Sequence, residues 1–208
     1  MSDSSDPGAG KDRAFVNGLA RGLRVLASFS PEHNRMSLGD LAKATGLPKS
    51  TIARLVHTLV ETGYIYVCPD SGRYSLHPKV LTLGYPVMAS MDKRLVALPM
   101  MQELADYSRG TVSLGIRDGL SMILIERSRD RTVRALPLDI GSRIPMETTS
   151  MGHAYFAAAD TVEQAAILEQ FKTHDPARFK DVERTLRAAE KEYADKGYCT
   201  AVGIWEDD

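Results

Sequence analysis

Leu41-Ala42-Lys43-Ala44-Thr45-Gly46-Leu47-Pro48-Lys49-Ser50-Thr51-Ile52-Ala53-Arg54-Leu55 is the run that decides how this chain folds. Gly46 supplies the left-handed residue that ends one helix, and Pro48 suits the first turn of the next. Upstream, Ser37 with Asp40 three residues on approximates a capping box, so a helix starts at Ser37 and points Leu38, Leu41 and Ala42 inward. Downstream, Ile52, Leu55, Val56, Leu59 and Val60 form the apolar stripe of a third helix from Pro48 to Thr62, closed by Gly63. Two β-prone runs, Tyr64–Val67 and Arg73–Leu76, flank Cys68-Pro69-Asp70-Ser71-Gly72 and predict a hairpin. Before Ser30-Pro31-Glu32, the residues Leu19, Leu23, Leu26 and Phe29 recur at three- and four-residue steps, as one buried face of a first helix over about 19–29 requires. Helix, helix, tight turn, helix and hairpin is the order of a winged helix-turn-helix.

A bihelical DNA reader needs a second helix whose outer face carries groups for bases and phosphates. Lys49, Ser50, Thr51, Arg54, His57, Thr58 and Glu61 lie largely opposite the apolar stripe of helix three. Lys49, Ser50 and Thr51 stand at its N-terminus, the end that enters the major groove, where free amides and the helix dipole also attract phosphate. The bland alternative is a merely solvated face; the turn, the hairpin and the local charge favour DNA. Arg73 is a candidate contact on the wing, or surface filler, and Arg21 and Arg24 of helix one are open between phosphate contact and solvation.

The net charge of −1 over 208 residues hides an asymmetry: residues 1–85 carry +3 and residues 86–208 carry −4. That pattern suits a polyanion-binding module joined to a partner domain. Hydrophobic residues at 43% and charged residues at 25% exclude a wholly disordered chain and a fibrous one. No run reaches the ~18 apolar residues of a membrane span, and the opening MSDSSDPGAGKDR is no secretory signal. Cys68 and Cys199 belong to no CxxC pair, which suits a reducing cytoplasm and argues against a disulfide scaffold or zinc knuckle.

Residues 1–14 read as a disordered tail, and residues 78–91, with Val80, Leu81, Leu83, Val87 and Met88, as a linker helix. A longer helix follows at about 93–108. Beyond Gly110 the period changes: Thr111–Ile116, Met122–Glu126 and Val133–Leu136 predict strands, then helices fall at about 151–158, 162–171 and 180–196, with a strand-like 198–204. The fold class is therefore α+β, with an antiparallel sheet and outer helices in the second domain.

The runs Leu19-Ala20-Arg21-Gly22-Leu23-Arg24-Val25-Leu26 and Leu41–Thr51 resemble the isocitrate-lyase-regulator (IclR) family. Gly63-Tyr64, Gly72-Arg73-Tyr74 and Leu83-Gly84 continue the match. Further on, so do Pro99–Leu104, Gly141–Met146, Thr149–Ala154 and Gly197-Tyr198. Phe15-Val16 ahead of Leu19 looks most like the branch controlling aromatic-acid and β-ketoadipate catabolism. The resemblance implies a winged helix-turn-helix domain at 15–77 and, from 92 to 208, a GAF-like α+β effector-binding domain. It also implies a repressor or activator that senses a small organic acid and works as a homodimer or homotetramer on a roughly palindromic double-stranded operator. Two departures stand out. Ala201 occupies a position where many relatives have an acidic residue, so either the ligand differs or neighbouring Thr200 takes over a polar contact. The family's sensor domain also continues past Trp205-Glu206-Asp207-Asp208, which implies an effector domain incomplete at its C-terminus.

The residues agree with a sensor. Thr148, Thr149, Ser150, Met151 and Gly152 lead into a helix whose free amides and hydroxyls form a carboxylate cradle. Arg143 adds a bidentate charge, and Met146 and Met151 an apolar wall. The candidate effector set is thus Arg143, Met146, Thr149, Ser150, Met151, Gly152 and Thr200; the bland alternative is an ordinary capped helix. Ser150, His153 and Asp160 invite a hydrolase reading, but neighbours on one helix turn rarely meet as nucleophile and base. No catalytic motif, metal-ligand spacing or cofactor fingerprint is present, so neither enzyme activity nor a cofactor is expected. A winged helix used only for protein contacts is the other alternative, separable by salt dependence.

Overall fold

A computed structural model of the chain describes residues 14–132 and 138–203. The described residues form two compact units, one up to Ala89 and one from Ser90. The expected tail at 1–14, apart from Ala14, and the expected strand Val133–Leu136 lie outside the described residues.

In the first unit, helices α1 (Asn17–Ala27), α2 (Leu38–Thr45) and α3 (Lys49–Glu61) precede strands β1 (Ile65–Val67) and β2 (Tyr74–Leu76). The capping box is fully made. The Asp40 amide donates to Ser37 Oγ at 3.2 Å, and the Ser37 amide donates to the Asp40 carboxylate at 2.9 Å. Gly46 sits at φ 68°, a conformation that costs other residues strain, and turns the chain sharply into α3. Thr45 steadies that corner by donating its hydroxyl to the Leu41 carbonyl at 2.6 Å. Pro48 is the N-cap of α3 rather than its first helical residue. Val25, Met36, Leu41, Ile52, Val56 and Ile65 form the core, and β1 and β2 pair antiparallel with Ile65 opposite Leu76.

The expected face of α1 is corrected. Leu19 and Leu23 are 63% and 55% exposed, whereas Val25 is fully buried, with Leu26 and Phe29 packed beside it. The buried side of α1 therefore lies in its C-terminal half around Val25, with Gly22 half-buried and Gly18 exposed. Leu19 and Leu23 keep helical spacing but mimic a stripe that the core does not use. After β2, a 3-10 turn (Pro78–Val80) leads into α4 (Leu81–Ala89), which buries none of its residues.

The second unit opens with α5 (Asp92–Ser108), followed by β3 (Thr111–Asp118), β4 (Ser121–Arg129) and β5 (Arg143–Pro145) in a three-stranded antiparallel sheet. Helices α6 (Ser150–Ala158), α7 (Thr161–His174) and α8 (Phe179–Lys196) complete it. Met122, Leu124, Ile144, Met146, Phe156, Ile167 and Leu186 are among its core residues. Arg94 of α5 and Glu126 of β4 form an ion pair, with side chains only 20% and 8% exposed. Residues 198–203 form no strand, contrary to expectation. Their hydrogen bonds go to α8 instead: Thr200 donates twice to Glu192, and the Cys199 thiol donates to the Ala189 carbonyl. No helix of the described residues is long and apolar enough to cross a membrane.

Candidate nucleic-acid interface and ligand cavity

On α3, Ile52 and Val56 are buried while Lys49, Ser50, Arg54, His57 and Thr58 are exposed and Thr51 is half-buried. The structure thus presents the six expected α3 residues on the outward side of a helix anchored by its apolar stripe. Pro48 offers no capping oxygen, and no acidic residue stands in the first turn, so the amides at the α3 N-terminus keep their hydrogen-bonding capacity. The helices α2, α6 and α7 differ in this respect, being capped by Ser37, Thr149 and Asp160. Thr58 donates its hydroxyl to the Arg54 carbonyl at 3.0 Å, so it faces outward mainly as an acceptor.

The cations of this unit fall into two sets. Those around the hairpin are internally satisfied: Arg35 pairs with Asp70 at 2.7 Å, and Lys79 donates to the Thr62 carbonyl beneath the Tyr64 ring. Arg73 belongs with them, since it donates to the Arg35 carbonyl at 3.2 Å and to Asp40 at 3.4 Å, tying the wing to the start of α2. By contrast, among the described residues, the side chains of Arg21, Arg24, Lys43, Lys49 and Arg54 enter no hydrogen bond or ion pair. All five lie on α1, α2 or α3. Between α1 and α3 runs a groove of about 390 Å³, lined by Gly18 and Arg21 on one side and by Thr51, Arg54, Leu55, His57 and Thr58 on the other.

The second unit holds a cavity of about 730 Å³ at the start of α6. Leu104, Leu124, Ile144 and Met151 supply apolar walls; Thr111, Ser113, Thr148 and Ser150 supply hydroxyls; Tyr193, Tyr198, Cys199 and Ala201 close the far side. Thr149 lines it too, but its hydroxyl is committed, accepting from the Gly152 amide at 3.3 Å and donating to the Pro145 carbonyl at 2.5 Å. The free hydroxyl is its neighbour's: Thr148 Oγ1 is buried without a hydrogen-bond partner. A buried polar atom left unpaired costs stability, and a ligand acceptor or donor would satisfy it. From sequence, Thr148 falls in the cradle but outside the candidate effector set, Tyr198 appears only in the Gly197-Tyr198 landmark, and Thr111, Ser113 and Tyr193 have no role. Only Thr148, directly ahead of a capping Thr, had a local signal.

Four expected effector residues, Arg143, Met146, Gly152 and Thr200, are not among those lining this cavity. Arg143 pairs with Asp118 and lines a different cleft, with His174 and Arg178, because the β3–β4 turn sets an acid against its guanidinium. Met146 is fully buried in the core, behind the cavity wall. Thr200 spends its hydroxyl and amide on Glu192, whose carboxyl these bonds and Lys196 hold down at about 2. Ala201 therefore lines the cavity without a polar substitute from Thr200. Gly152 has a packing role: a Cβ there would lie 2.2 Å from the Met146 carbonyl oxygen. Ser150 and His153 do not form a catalytic pair. His153 is buried and its Nε2–H donates to the Glu147 carbonyl at 2.9 Å, while Asp160 caps α7 through the Glu163 amide. Among the described residues no group of His, Cys, Asp and Glu side chains converges as a metal site.

Comparison with known proteins adds the following. The model of the IclR helix-turn-helix domain matches residues 18–67, and that of the bacterial transcriptional regulator IclR C-terminal domain matches residues 86–202. The HTH-type transcriptional regulator TsaQ1/TsaQ2 of Comamonas testosteroni is 31% identical over 186 residues, 88% of this chain and 66% of that protein. XynR of Escherichia coli K12 is 30% identical over 205 residues, 92% of this chain and 81% of its own length. Among solved structures, an IclR family transcriptional regulator from Brucella abortus superposes with a TM-score of 0.82 at 37% identity, covering 97% of this chain and 76% of that one.

Proposed function

Because this chain belongs to the IclR family of bacterial transcriptional regulators, we propose that it binds a roughly palindromic duplex operator through α3 and senses a small organic acid in the cavity at α6. Residues 15–77 are the DNA-binding domain, 78–91 the linker, and the chain from 92 onward the effector-binding domain. Lys49, Ser50, Thr51, Arg54 and His57 meet the major groove, with Thr58 as an acceptor at its edge. Arg73 serves the wing chiefly by holding it against α2, within reach of the backbone. One observation carries the DNA reading: α3 buries Ile52 and Val56 completely while its uncapped, cation-bearing side stays open. The family is one of regulators and not of enzymes, and such a protein works in the bacterial cytoplasm.

In the cavity, the amides at the start of α6 and the hydroxyls of Thr148 and Ser150 receive a carboxylate, and Leu104, Leu124 and Met151 hold an apolar body. Binding shifts DNA occupancy only as far as the acid prefers one state of the regulator over another. Self-association into a homodimer or homotetramer is supported by apolar surface left open on the first unit. Leu81, Leu83, Tyr85 and Val87 of α4 are exposed, as are Phe15, Val16, Leu19 and Leu23. A helix as short as α4 is not stable in water without a packing partner.

The test is enrichment of duplexes from a random library, followed by fluorescence anisotropy over a range of salt. A sequence-selective complex whose affinity falls steeply with salt is expected, with Arg54→Ala weakening it about tenfold. Salt-insensitive binding to proteins and none to DNA would replace this reading with that of a protein-interaction module. A thermal-shift screen against aromatic and dicarboxylic acids tests the sensor half, since a ligand bound only by the folded state raises its melting temperature.

A further inference from the structure

The groove between α1 and α3 has a composition that a merely solvated crevice does not require. Arg21 forms one wall, and Arg54, His57 and Thr51 stand on the other, with no carboxylate among its lining residues. Neither guanidinium enters a hydrogen bond or ion pair among the described residues, whereas those of Arg35 and Arg73 in the same unit are both tied to acids. On the α1 side the groove is left open at Gly18, an exposed residue with no side chain to fill it. The exposed Gly18 and the half-buried Gly22 fall on one helical line, four residues apart, and a Cβ built on either meets no atom within 4 Å. Glycine inside a helix is destabilising relative to alanine, so two on one stripe with room for a methyl are not explained by packing.

We infer that this groove seats one phosphate of the duplex backbone, gripped by Arg21 from α1 opposite Arg54, so that α1 sets how deeply α3 enters the major groove. This rests on the DNA-binding reading above and adds to it a role for the first helix. Phosphate contacts of this kind fix register and orientation without reading sequence. Arg21 is thus a positioning residue, while the outer α3 side chains select bases. The open stripe at Gly18 keeps the seat free.

The experiment compares full-length wild type, Arg21→Ala, Arg21→Lys and Gly18→Leu on two probes, a mixed-sequence duplex and a duplex enriched for wild-type binding, by anisotropy from about 50 to 200 mM salt. Arg21→Ala is expected to lose about tenfold on both probes alike and to lower the slope of log affinity against log salt by about 0.9, one phosphate's worth. Arg21→Lys should recover most of the slope. Gly18→Leu should weaken both complexes without lowering the melting temperature, because its side chain enters open space. Unchanged affinity and slope in Arg21→Ala, with wild type binding normally, would overturn the inference and leave the DNA-binding reading standing. A loss confined to the enriched duplex would make Arg21 a base reader and overturn it too. So would a loss explained entirely by weaker self-association in sedimentation velocity. Absence of salt-dependent binding by wild type to either duplex would bring down both the inference and the reading beneath it.

Discussion

Replacing glycine by alanine at two helical positions should move stability in opposite directions. In α6, a Cβ on Gly152 would lie 2.2, 2.4 and 2.7 Å from the carbonyl oxygen, Cα and carbonyl carbon of Met146. All three are backbone atoms of a fully buried residue, so no side chain swings aside to relieve the clash. The start of α6 must retreat from the end of β5 by more than an ångström to reach ordinary contact distance. Overpacking of a tight core costs about 1–3 kcal/mol, and a backbone obstacle places Gly152→Ala at the upper end, about 3 kcal/mol. Alanine's better helix propensity returns less than about 1 kcal/mol of that. In α1, a Cβ on Gly18 meets nothing within 4 Å, so only the propensity gain remains and Gly18→Ala should stabilise by about 0.5–1 kcal/mol. Urea denaturation followed by far-UV circular dichroism measures both. Gly152→Ala should also lose acid binding, because the moved helix start carries the cavity's amides. A Gly152→Ala protein within about 0.5 kcal/mol of wild type, binding acids normally, would show that α6 is not seated on Met146 and that the cavity is shaped otherwise.

Other expectations follow from single contacts. Arg94→Met should cost about 3 kcal/mol by leaving Glu126 buried without its partner, and the double change Arg94→Met/Glu126→Leu should recover most of it in the same urea titration. Thr148→Val removes the buried, unpartnered hydroxyl at little cost in shape, so melting temperature should hold or rise. Affinity for the best acid of a calorimetric screen should meanwhile fall about tenfold. Glu192 has a folded pKa of about 2, well below its ordinary 4.5, so its grip on Thr200 is fully present above about pH 4.5 and lost as the pH falls toward 2. Exchange of the Thr200 amide with deuterium should accelerate over that window in wild type and already be fast at neutral pH in Glu192→Gln.

The helix-turn-helix was legible because its signals are local. Ser37 and Asp40 satisfy each other across one turn, Gly46 supplies its own left-handed bend, and Pro48 blocks continuation, each within a few residues of where it acts. The phase of α1 was not, since Leu19, Leu23 and Leu26 have helical spacing but burial is decided by where α3 and the hairpin lie. The strand β5, three residues long, owes its existence to pairing with β4 about twenty residues earlier. The same distance effect misled the site reading. Arg143 looks free in sequence, and Asp118, 25 positions away, claims it only once the β3–β4 turn is folded. Thr149 was expected in the effector set, with a capped helix only as the alternative; it caps α6, so its hydroxyl is committed and the one beside it is free.

The central claim is that α3 lies in the major groove of duplex DNA, and methylation interference tests it most directly. Dimethyl sulfate marks guanine N7 in the major groove and adenine N3 in the minor groove, and the full-length protein then sorts the marked operator molecules into bound and free. The account predicts that N7 methylation blocks binding in two clusters, one helical turn of about 10 bp or a multiple of it apart, and that Arg54→Ala loses part of that pattern. Interference confined to adenine N3, or an N7 pattern unaltered by every substitution on the outer side of α3, would contradict it.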